Sequence, residues 1–503
     1  QWDLPERLNM ATQVCDGWAA RAPERVAIID LTGGRRDVSY GELRRLADGL
    51  AHDLVARGVT RGDRVGVLRS QGIWTAAAHI AVWKIGAISI PLFKLFMREA
   101  LQSRVRDAGA EFIITDAEGA GMLDGQTPVI PEELTLRTAP FETALTTPED
   151  PAVLIYTSGT TGSPKGALHG HRVLTGHLPG AELFNDFLGQ KGDVLWTPAD
   201  WAWIGGLFNI LMPGLALGVP VVAARMARFS VEGCIDIIRQ AAITNVFFPP
   251  TALRMIKAEG AKIPGLRSIG SGGEPLGAEM LEWGRQAFGL TINEFYGQTE
   301  CNLVAGSCAA LYEPRPGCIG RVVPGHEVAV LDKAGQPSQD EGDVAVKRGS
   351  ASMMLEYWNR PEQTAEKFKG DWMLTGDRGI WEGEYLRFVG REDDVITSSG
   401  YRIGPAEIED CLMQHDAVAT VGVVGKPDAM RTEIVKAYIV LRDGDEPSEE
   451  LGEELKVFVK ERLAKYSYPR EISFIAALPM TVTGKVIRRE LKAKAIAESK
   501  VKS

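Results

Sequence analysis

Short apolar runs alternate with helical patterns through much of the chain and predict a layered α/β fold. The runs lie at residues 25–30, 63–70, 86–92, 111–116, 193–198, 219–224, 245–250 and 266–273, and each has the pattern of a strand. Between the first two, Leu43, Leu46, Leu50 and Leu54 recur at helical spacing. Strands that alternate with helices indicate a largely parallel sheet.

The pattern changes near residue 390. The charged stretch at 391–394 follows turn-rich β segments. Beyond it, strands are predicted at 418–424, 433–441 and 471–478, with helices near 448–464 and at the basic end of the chain. We therefore predict a division into residues 1–392 and a small α+β domain of residues 393–503. The charged stretch is interpreted as a hinge, and the alternative is a surface turn.

The longest apolar segment, at residues 203–222, is interrupted by four glycines and two prolines. We interpret it as buried segments and turns, and no run is long enough to predict a membrane span.

The first ten residues, QWDLPERLNM, lack the pattern of a signal peptide. Six cysteines without C-x-x-C spacing argue against structural zinc and favour a reduced, cytoplasmic location.

The composition is that of an ordinary globular enzyme. The chain has 503 residues, of which 45% are hydrophobic and 24% charged, enough for two to four domains. The net charge of −10 argues against broad nucleic-acid binding. No oligomeric state is predicted.

A glycine-rich loop follows the apolar run that ends at Tyr156. Its sequence, YTSGTTGSPKG at residues 156–166, combines three glycines with several hydroxyl groups and Lys165. Glycines let backbone N–H groups approach an anion closely, so the loop predicts a polyphosphate site; the alternative is a plain surface loop. Two residues separate Gly162 from Lys165, and Gly166 follows the lysine. This spacing disfavours an ordinary P-loop kinase or GTPase.

Three further stretches follow the loop in order. They are GGEPLG and NEFYGQTE within residues 272–300, TGDRGIWEGEYLRFVGREDDVITSSGYRIGPAEIED at 375–410, and PMTVTGKVIRREL at 479–491. Together with the loop they resemble the adenylate-forming superfamily of acyl-CoA synthetases, luciferases and peptide-synthetase adenylation domains. The stretches SSGYRIGPAEIE and YGQTE are most similar to medium-chain acyl-CoA synthetases. The resemblance covers nearly the whole chain.

The resemblance implies a large N-terminal domain of several subdomains with layered sheets and helices, a hinge at Asp393, and a small mobile α+β C-terminal domain. It also implies a two-step ligase that uses ATP, Mg²⁺ and CoA. A carboxylate first attacks the α-phosphate of ATP, which gives acyl-AMP and pyrophosphate. The CoA thiol then displaces AMP and forms the thioester.

The resemblance also assigns roles around ATP. The β- and γ-phosphates would be bound by Thr157, Ser158, Gly159, Thr160, Thr161, Gly162 and Lys165. Thr299 would bind the α-phosphate and Glu300 the Mg²⁺ ion, for which a carboxylate oxygen is a suitable ligand. Without the resemblance, this pair could be a helix N-cap. Around the nucleoside, the implied contacts are Gly273, Glu274, Pro275, Asn293, Glu294, Phe295, Tyr296, Gly297, Gln298, Asp377 and Arg391, and Arg402 would face the phosphate of the bound nucleotide. Among them, Tyr296 would stack on the base and Asp377 would hold both ribose hydroxyls.

The C-terminal part would serve the two steps with different elements. Lys485 resembles the lysine that reaches the α-phosphate and the carboxylate during adenylation; as a lone lysine it would be a solvated charge. Ser399, Gly400 and Tyr401 resemble the loop that lines the pantetheine tunnel, and Arg431 resembles a contact to the CoA nucleotide. Related enzymes tend to read P-Y-K-Y-P-R near the end, whereas this chain has AKYSYPR at 464–470. Ser467 therefore stands at a lysine position, for which Lys465 is the candidate substitute.

The choice of acid depends on glycines. Acetate-specific relatives carry a Trp two residues before the Thr of the YGQTE-like motif, where it plugs the acyl pocket; the residue here is Gly297. Gly205 and Gly272 are two further pocket positions without side chains, and Trp203 and Ile204 supply apolar walls. We therefore predict a medium-chain or aromatic acid, not acetate. The alternative is that neighbouring side chains fill the space.

Three other functions stay open at this point. A stand-alone adenylation enzyme could load an amino acid or a carrier protein, and Asp200 could then hold the ammonium group. A luciferase-like oxygenase and a non-catalytic binding protein are the remaining candidates.

Overall fold

The computed structural model describes residues 2–96, 98–157, 164–226, 228–391, 394–398, 401–428, 431–463, 468–481 and 484–501. In chain order, the strands are β1 (Val26–Asp30), β2 (Arg36–Ser39), β3 (Arg64–Leu68), β4 (Ile88–Leu92), β5 (Phe112–Thr115), β6 (Thr127–Val129), β7 (Pro151–Thr157), β8 (Lys165–Gly170), β9 (Leu195–Trp196), β10 (Val221–Ala223), β11 (Asn245–Phe247), β12 (Ser268–Gly272), β13 (Ile292–Gln298), β14 (Cys301–Gly306), β15 (Arg321–Val322), β16 (Val328–Leu331), β17 (Pro337–Ser338), β18 (Gly342–Lys347), β19 (Glu356–Tyr357), β20 (Phe368–Lys369), β21 (Trp372–Glu382), β22 (Tyr385–Arg391), β23 (Ile396–Ser398), β24 (Tyr401–Ile403), β25 (Val418–Asp428), β26 (Thr432–Leu441) and β27 (Glu471–Phe474).

The helices are α1 (Gly17–Arg21), α2 (Tyr40–Ala56), α3 (Ile73–Ile85), α4 (Arg98–Ala108), α5 (Ala117–Ala120), α6 (Val173–Phe184), α7 (Ile204–Gly206), α8 (Met212–Leu217), α9 (Val231–Ala241), α10 (Pro250–Ala258), α11 (Ala278–Phe288), α12 (Pro361–Glu366), α13 (Pro405–Met413), α14 (Glu449–Arg462) and α15 (Arg488–Val501). Thr12–Asp16 and Leu207–Leu211 are π-helical, and Pro131–Glu133 is a 3₁₀ turn.

Two large sheets form the centre of the fold. One has nine strands in the order β15-β14-β13-β12-β11-β9-β10-β1-β2, and the other has seven in the order β19-β8-β7-β4-β3-β5-β6. Their inner pairs are parallel, whereas β13–β14–β15, β1–β2 and β7–β8–β19 pair antiparallel. The predicted α/β layers with largely parallel sheets are therefore confirmed.

Two smaller sheets follow in the chain. The strands β16, β17, β18, β20, β21 and β22 form an antiparallel sheet. After residue 394, β23 to β27 form a five-stranded sheet against which α13 and α14 pack. The predicted α+β character of the C-terminal part agrees with this arrangement. The hinge residue Asp393 lies outside the described residues, and the boundary at 392/393 stays a prediction.

Local sequence explains where the elements lie. All eight apolar runs predicted in the first half contain a strand, from β1 to β12. Helix α2 begins after Ser39, whose hydroxyl caps the backbone N–H of Glu42. The leucines at helical spacing face inward: Leu43, Leu50 and Leu54 are fully buried.

The segment at 203–222 was predicted as buried segments and turns, and it is buried over most of its length. It is helical over residues 204–217, so the predicted turns were wrong there. Its glycines serve close packing: a Cβ on Gly206 would lie 2.2 Å from the carbonyl oxygen of Asp200, and one on Gly214 would lie 2.3 Å from Val221. The helix ends at Gly218, which has a φ of +72°. The sequence pattern was misleading because glycine here allows contact between elements. Among the helices of the described residues, none is long and apolar enough to cross a membrane.

Candidate active site

The tight hairpin of β13 and β14 carries two of the predicted catalytic residues at its tip. Gln298 pairs with Cys301 across the hairpin, so Thr299 and Glu300 form the two-residue connection. The pair is therefore a hairpin turn and not a helix N-cap. The turn is held in place from behind, because the backbone N–H of Met354 donates to the carbonyl of Glu300 at 2.7 Å.

Strand β13 separates two environments, because successive side chains of a strand point to opposite faces. On one face, the Tyr296 hydroxyl donates to Asp377 at 2.5 Å, and the Gln298 amide donates to the Thr375 carbonyl at 2.9 Å. On the other face, the Phe295 ring packs 4.6 Å from Phe184. The side chain of Phe295 thus lies away from the predicted nucleotide face, where only its backbone is available.

The predicted phosphate loop lies between two paired strands. Thr157 at the end of β7 pairs with Lys165 at the start of β8, so these two residues fix the base of the loop. Residues Ser158, Gly159, Thr160, Thr161 and Gly162 lie outside the described residues. The ammonium of Lys165 lies 5.2 Å from the ring centroid of Tyr357, a cation–π distance.

Tyr357 links this lysine to the predicted metal ligand. Its hydroxyl donates a short hydrogen bond to the Glu300 carboxylate. Burial raises the pKa of Tyr357, and the negative charge of Glu300 raises it further, so the phenol stays a donor. Glu300 keeps a carboxylate of the type that Mg²⁺ prefers, together with phosphate oxygens. The residues present therefore fit this ion.

Asp377, predicted to hold the ribose, is buried between two partners. Its residue lies opposite Arg391 across β21 and β22, and the two charged groups are 3.7 Å apart. Burial raises the pKa of Asp377, whereas Arg391 and the Tyr296 hydroxyl act in the opposite direction. The contact to Tyr296 ties the predicted base-stacking residue to the predicted ribose carboxylate.

Lys367 is a site residue that the sequence motifs did not identify. It follows α12, and its ammonium donates to the Thr375 carbonyl at 3.3 Å. Burial lowers the pKa of Lys367, and the charges of Glu300 and Asp377 raise it. The charges of both predicted carboxylate ligands therefore act on this half-buried cation. Lys367 lies eight residues before Thr375, the first residue of the TGD stretch, but this spacing alone did not identify it as a site residue.

Lys485 reaches the same region from the far end of the chain. It lies in a turn in which its backbone N–H donates to the Thr481 hydroxyl at 3.0 Å. Gly484 in this turn approaches α10: a Cβ there would lie 3.1 Å from the Thr251 hydroxyl. Although Lys485 keeps exposed surface, desolvation lowers its pKa, opposed by the charges of Glu274 and Asp377.

The predicted adenine-side loop follows β12. Gly273 has a φ of +96°, which favours glycine, and Glu274 pairs with Arg254 at 3.2 Å. The carboxylate of Glu294 accepts the backbone N–H of Leu276 at 3.1 Å and so anchors the loop after Pro275. Burial raises the pKa of Glu294 to about 8, with a smaller contribution from Asp410. We interpret Glu294 as a residue that supports the loop.

The three predicted pocket glycines do not surround empty space. A Cβ on Gly272 would lie 2.4 Å from the Phe295 ring, and one on Gly297 would lie 2.5 Å from the Asn302 side chain and the Leu303 backbone. A Cβ on Gly205 would lie 3.2 Å from Phe247. Neighbouring groups therefore occupy the space beside these three glycines, as the alternative interpretation supposed.

The remaining acyl-side candidates lie around this region. Trp203 contacts Phe93 and Phe96, with ring centroids 5.3 and 6.0 Å apart, and the partly exposed Ile204 begins α7. Asp200 accepts the backbone N–H of Ala202 at 2.8 Å. Burial raises its pKa to about 6, and the charges of Arg225 and Lys94 counteract this. Asp200 therefore stabilises a turn and has cationic neighbours, a poor setting for an ammonium group.

The predicted CoA elements meet at one end of the C-terminal sheet. Ser398 pairs with Thr432, and Arg431 precedes that residue in a turn where its backbone N–H donates to Asp428 at 2.9 Å. Tyr401 and Arg402 belong to β24, which pairs with β23. Ser399, Gly400, Lys465 and Ser467 lie outside the described residues.

Comparison with known proteins agrees with this arrangement. The family model described as AMP-binding enzyme matches residues 15–358, and that of the AMP-binding enzyme C-terminal domain matches residues 407–485. The chain is 33% identical to the acetyl-coenzyme A synthetase of Bacillus subtilis, over 97% of this chain and 90% of that protein. It is also 33% identical to the mitochondrial acyl-coenzyme A synthetase ACSM4 of Rattus norvegicus, over 97% and 91%. The crystal structure of the anthranilate CoA ligase AuaEII with anthranoyl-AMP superposes with a TM-score of 0.90 at 26% identity, over 99% of both chains.

The contact between Tyr357 and Glu300 predicts an effect on metal affinity. Tyr357→Phe removes the hydroxyl that orients the carboxylate, so the Mg²⁺ concentration for half-maximal ATP binding should rise about 10-fold. Calorimetric titration of ATP at several Mg²⁺ concentrations measures this. Tyr312→Phe is the matched control, because its hydroxyl bonds the Gly306 carbonyl. Equal Mg²⁺ dependence in wild type and Tyr357→Phe would contradict the assignment.

Lys367 predicts a charge effect that depends on pH. Lys367→Met should weaken ATP binding about 10- to 100-fold, because a charged donor is lost. Since burial lowers the lysine pKa, the wild type should lose affinity as pH rises through that lowered value. Lys367→Arg should keep its affinity at alkaline pH, because guanidinium stays charged. The exposed neighbour Lys369 bonds the Lys333 carbonyl, and Lys369→Met is the control; similar losses in both Met variants would refute the role.

Proposed function

The chain belongs to the AMP-binding enzyme family, and we propose that it activates an aromatic or medium-chain carboxylic acid. Its relatives are acyl-CoA synthetases, and it is an AMP-forming acid–CoA ligase that uses ATP, Mg²⁺ and CoA. The acid and ATP give acyl-AMP and pyrophosphate, and CoA then gives acyl-CoA and AMP. One observation supports the assignment of the site: the turn that holds Lys485 packs against α10, where a Cβ on Gly484 would lie 3.1 Å from the Thr251 hydroxyl, although the two segments are far apart in sequence.

The first step must bring one anion against another. The carboxylate oxygen forms a bond to the α-phosphorus while the bond to the bridging oxygen of pyrophosphate breaks. Catalysis therefore requires cations and donors that are oriented before the reaction begins. We propose that Thr299 binds the α-phosphate and that Lys485 approaches both the α-phosphate and the acid. Lys165 and Lys367 would neutralise the departing pyrophosphate, and Mg²⁺ held by Glu300 would supply further charge neutralisation.

The nucleoside would lie on the other side of the hairpin tip. Tyr296 would stack on the base while its hydroxyl keeps the contact to Asp377. Asp377 would accept the ribose hydroxyls, because a carboxylate can accept two hydrogen bonds at once. Arg391, which lies opposite Asp377, keeps that carboxylate oriented. We also retain Arg402, Tyr401 and Arg431 as proposed contacts for the nucleotide phosphate and for CoA.

The acid class rests on the walls of the acyl side. Phe295 lies between Phe184 and Phe247, with ring centroids at 4.6 and 5.0 Å, and aromatic rings favour aromatic or apolar partners. The structurally similar AuaEII is a ligase for anthranilate, an aromatic acid. The relative from Bacillus subtilis is instead named for acetate. The aromatic side chains therefore support the proposal of a larger acid.

An amino-acid substrate is the second candidate, and the setting of Asp200 disfavours it. The carboxylate is committed to a backbone N–H and has Lys94 and Arg225 as cationic neighbours. The proposed partners are thus a small carboxylic acid and CoA, without nucleic acid. A reduced cytoplasm is the proposed compartment, supported by six free, buried cysteines.

The acid class predicts a clear order in a substrate panel. Pyrophosphate release should be faster with benzoate and octanoate than with butyrate, and slowest with acetate. Each methylene that is removed costs about 1–3 kcal/mol, and each step from octanoate to butyrate to acetate removes at least two, so kcat/KM should fall about 10-fold or more at each step. A preference for acetate would sink the proposal. Parallel assays with and without CoA separate thioester formation from adenylation alone.

Lys485 predicts a separation of the two steps. Lys485→Ala should lower adenylation about 100- to 1000-fold, because a preorganised charge at the reacting phosphate is lost. Thioester formation from supplied acyl-AMP should change only a few-fold. Arg489→Ala, an exposed residue four positions along, is the control. Equal losses in both steps would assign Lys485 a structural role instead.

A further inference from the structure

The side-chain direction of Gly297 is occupied by Asn302. An ideal Cβ on Gly297 would lie 2.5 Å from Asn302 Oδ1, so the amide of Asn302 fills the space that a side chain at 297 would take. Gly297 lies between Tyr296 and Gln298, where the pairing of β13 with β14 is irregular. The floor of the proposed acyl pocket is therefore a buried polar group, and not an opening.

Asn302 is joined to a second buried amide on the neighbouring helix. Its Nδ2 donates to Asn209 Oδ1 at 2.6 Å, and the two residues are 4% and 1% exposed. Asn209 lies in the π-helical stretch Leu207–Leu211, a local geometry that occurs frequently at functional sites. The pair thus connects the β13–β14 hairpin with the helical segment that begins at Ile204.

The pair leaves hydrogen-bonding capacity unused. The bond uses Asn302 Nδ2 as donor and Asn209 Oδ1 as acceptor. Asn302 Oδ1 and Asn209 Nδ2 therefore have no side-chain or backbone hydrogen-bond partner among the described residues. If both side-chain amides are flipped, so that oxygen and nitrogen exchange places, the pair still forms one hydrogen bond and still leaves one oxygen and one NH₂ group without a partner. Neither Asn302 Oδ1 nor Asn209 Nδ2 is among the fully buried side-chain atoms that lack a partner, so each keeps a little accessible surface at which a polar group of a ligand would pair.

Two further features fix the pair beside the aromatic wall. Leu303, next to Asn302, has a φ of +52°, an unfavourable backbone conformation that occurs most often at functional sites. A Cβ on Gly205 would lie 3.2 Å from the Phe247 ring and 3.9 Å from Asn209 Nδ2. One short segment of the pocket is therefore bounded by an aromatic ring and by an uncommitted amide.

We propose that Asn209 and Asn302 determine the specificity of the ligase by recognising a hydroxyl substituent on an aromatic acid. A hydroxyl group both donates and accepts, which matches the free oxygen and the free NH₂ of the pair. The rings of Phe247 and Phe295 would contact the aromatic ring that carries the hydroxyl. The inference deepens the proposed function and rests on it.

The test compares acids that differ by one hydroxyl. For the wild-type enzyme, kcat/KM for pyrophosphate release is measured with benzoate, its 2-, 3- and 4-hydroxy isomers, and octanoate. At least one hydroxy isomer should exceed benzoate about 10- to 100-fold, because a polar site left unpaired discriminates strongly. In the double variant Asn209→Leu/Asn302→Leu, the ratio of hydroxybenzoate to benzoate should fall to within about 3-fold of unity, because two apolar side chains of similar size replace the amides.

A matched control separates recognition from support of the fold. Asn185 is a buried amide whose Nδ2 donates to the Ala181 carbonyl at 2.9 Å and whose oxygen accepts from Ser268. Asn185→Leu should lower the melting temperature without changing the hydroxybenzoate-to-benzoate ratio. If the amide pair only stabilised the hairpin, the double variant would lower kcat/KM for all acids in parallel.

The outcomes distinguish failure of hydroxyl recognition by Asn209 and Asn302 from failure of the proposed acid class. Wild-type enzyme that uses benzoate or octanoate in preference to all three hydroxybenzoates overturns the inference, even if the double variant does not fold, and leaves the proposed function intact. A hydroxyl preference that survives in the folded double variant also overturns it. Absence of pyrophosphate release with every acid of the panel refutes the proposed acid class itself.

Discussion

The site must overcome the electrostatic repulsion between its two substrates. A carboxylate and a triphosphate carry like charges, and two unit charges 4 Å apart interact by about 4 kcal/mol at an effective dielectric constant of 20. We propose that the chain meets this repulsion with Lys165, Lys367, Arg391 and Lys485. Cations gathered so closely repel one another, and the carboxylates of Glu300 and Asp377 lie among them: both raise the pKa of Lys367, and Asp377 also raises that of Lys485.

That charge arrangement explains why the fold needs several sheets around one site. Lys165 begins β8 of the seven-stranded sheet, and Glu300 lies at a hairpin of the nine-stranded sheet. Arg391 and Asp377 lie opposite each other in the smaller antiparallel sheet. Lys485 arrives from the C-terminal part in a turn next to Thr251 of α10. A single sheet edge could not bring charges of both signs to one point from so many directions.

The sequence was sufficient for the elements that local pattern encodes. Strands such as β1 and β3, and the inward leucines of α2, follow from runs of a few residues, whose burial and period do not depend on distant parts of the chain. Tyr357 and Lys367 were not predicted, because their roles arise from contacts across the fold: the Tyr357–Glu300 bond joins residues 57 positions apart. No local pattern distinguishes these two residues from an ordinary buried tyrosine and a surface lysine.

The glycines were interpreted in the wrong sense for a related reason. A sequence shows that glycine lacks a side chain, but it does not show which neighbour approaches the bare backbone. At Gly206 and Gly214 the neighbour is another segment of the chain, and a helix forms where turns were predicted. At Gly272 it is the Phe295 ring, and at Gly297 it is the Asn302 amide. The pocket wall therefore depends on contacts that only the packed structure defines.

One element links recognition of the acid to the chemistry. The β13–β14 hairpin carries Thr299 and Glu300 at its tip, while Phe295, Gly297 and Asn302 face the proposed acyl side below it. A short hairpin moves as a unit, so an acid that disturbs the packing of Asn302 also shifts the tip. Displacements of about 1 Å can cost about 100-fold in rate. Selectivity in this enzyme should therefore affect kcat as well as binding, because binding energy from the acyl group positions the hairpin for the transition state.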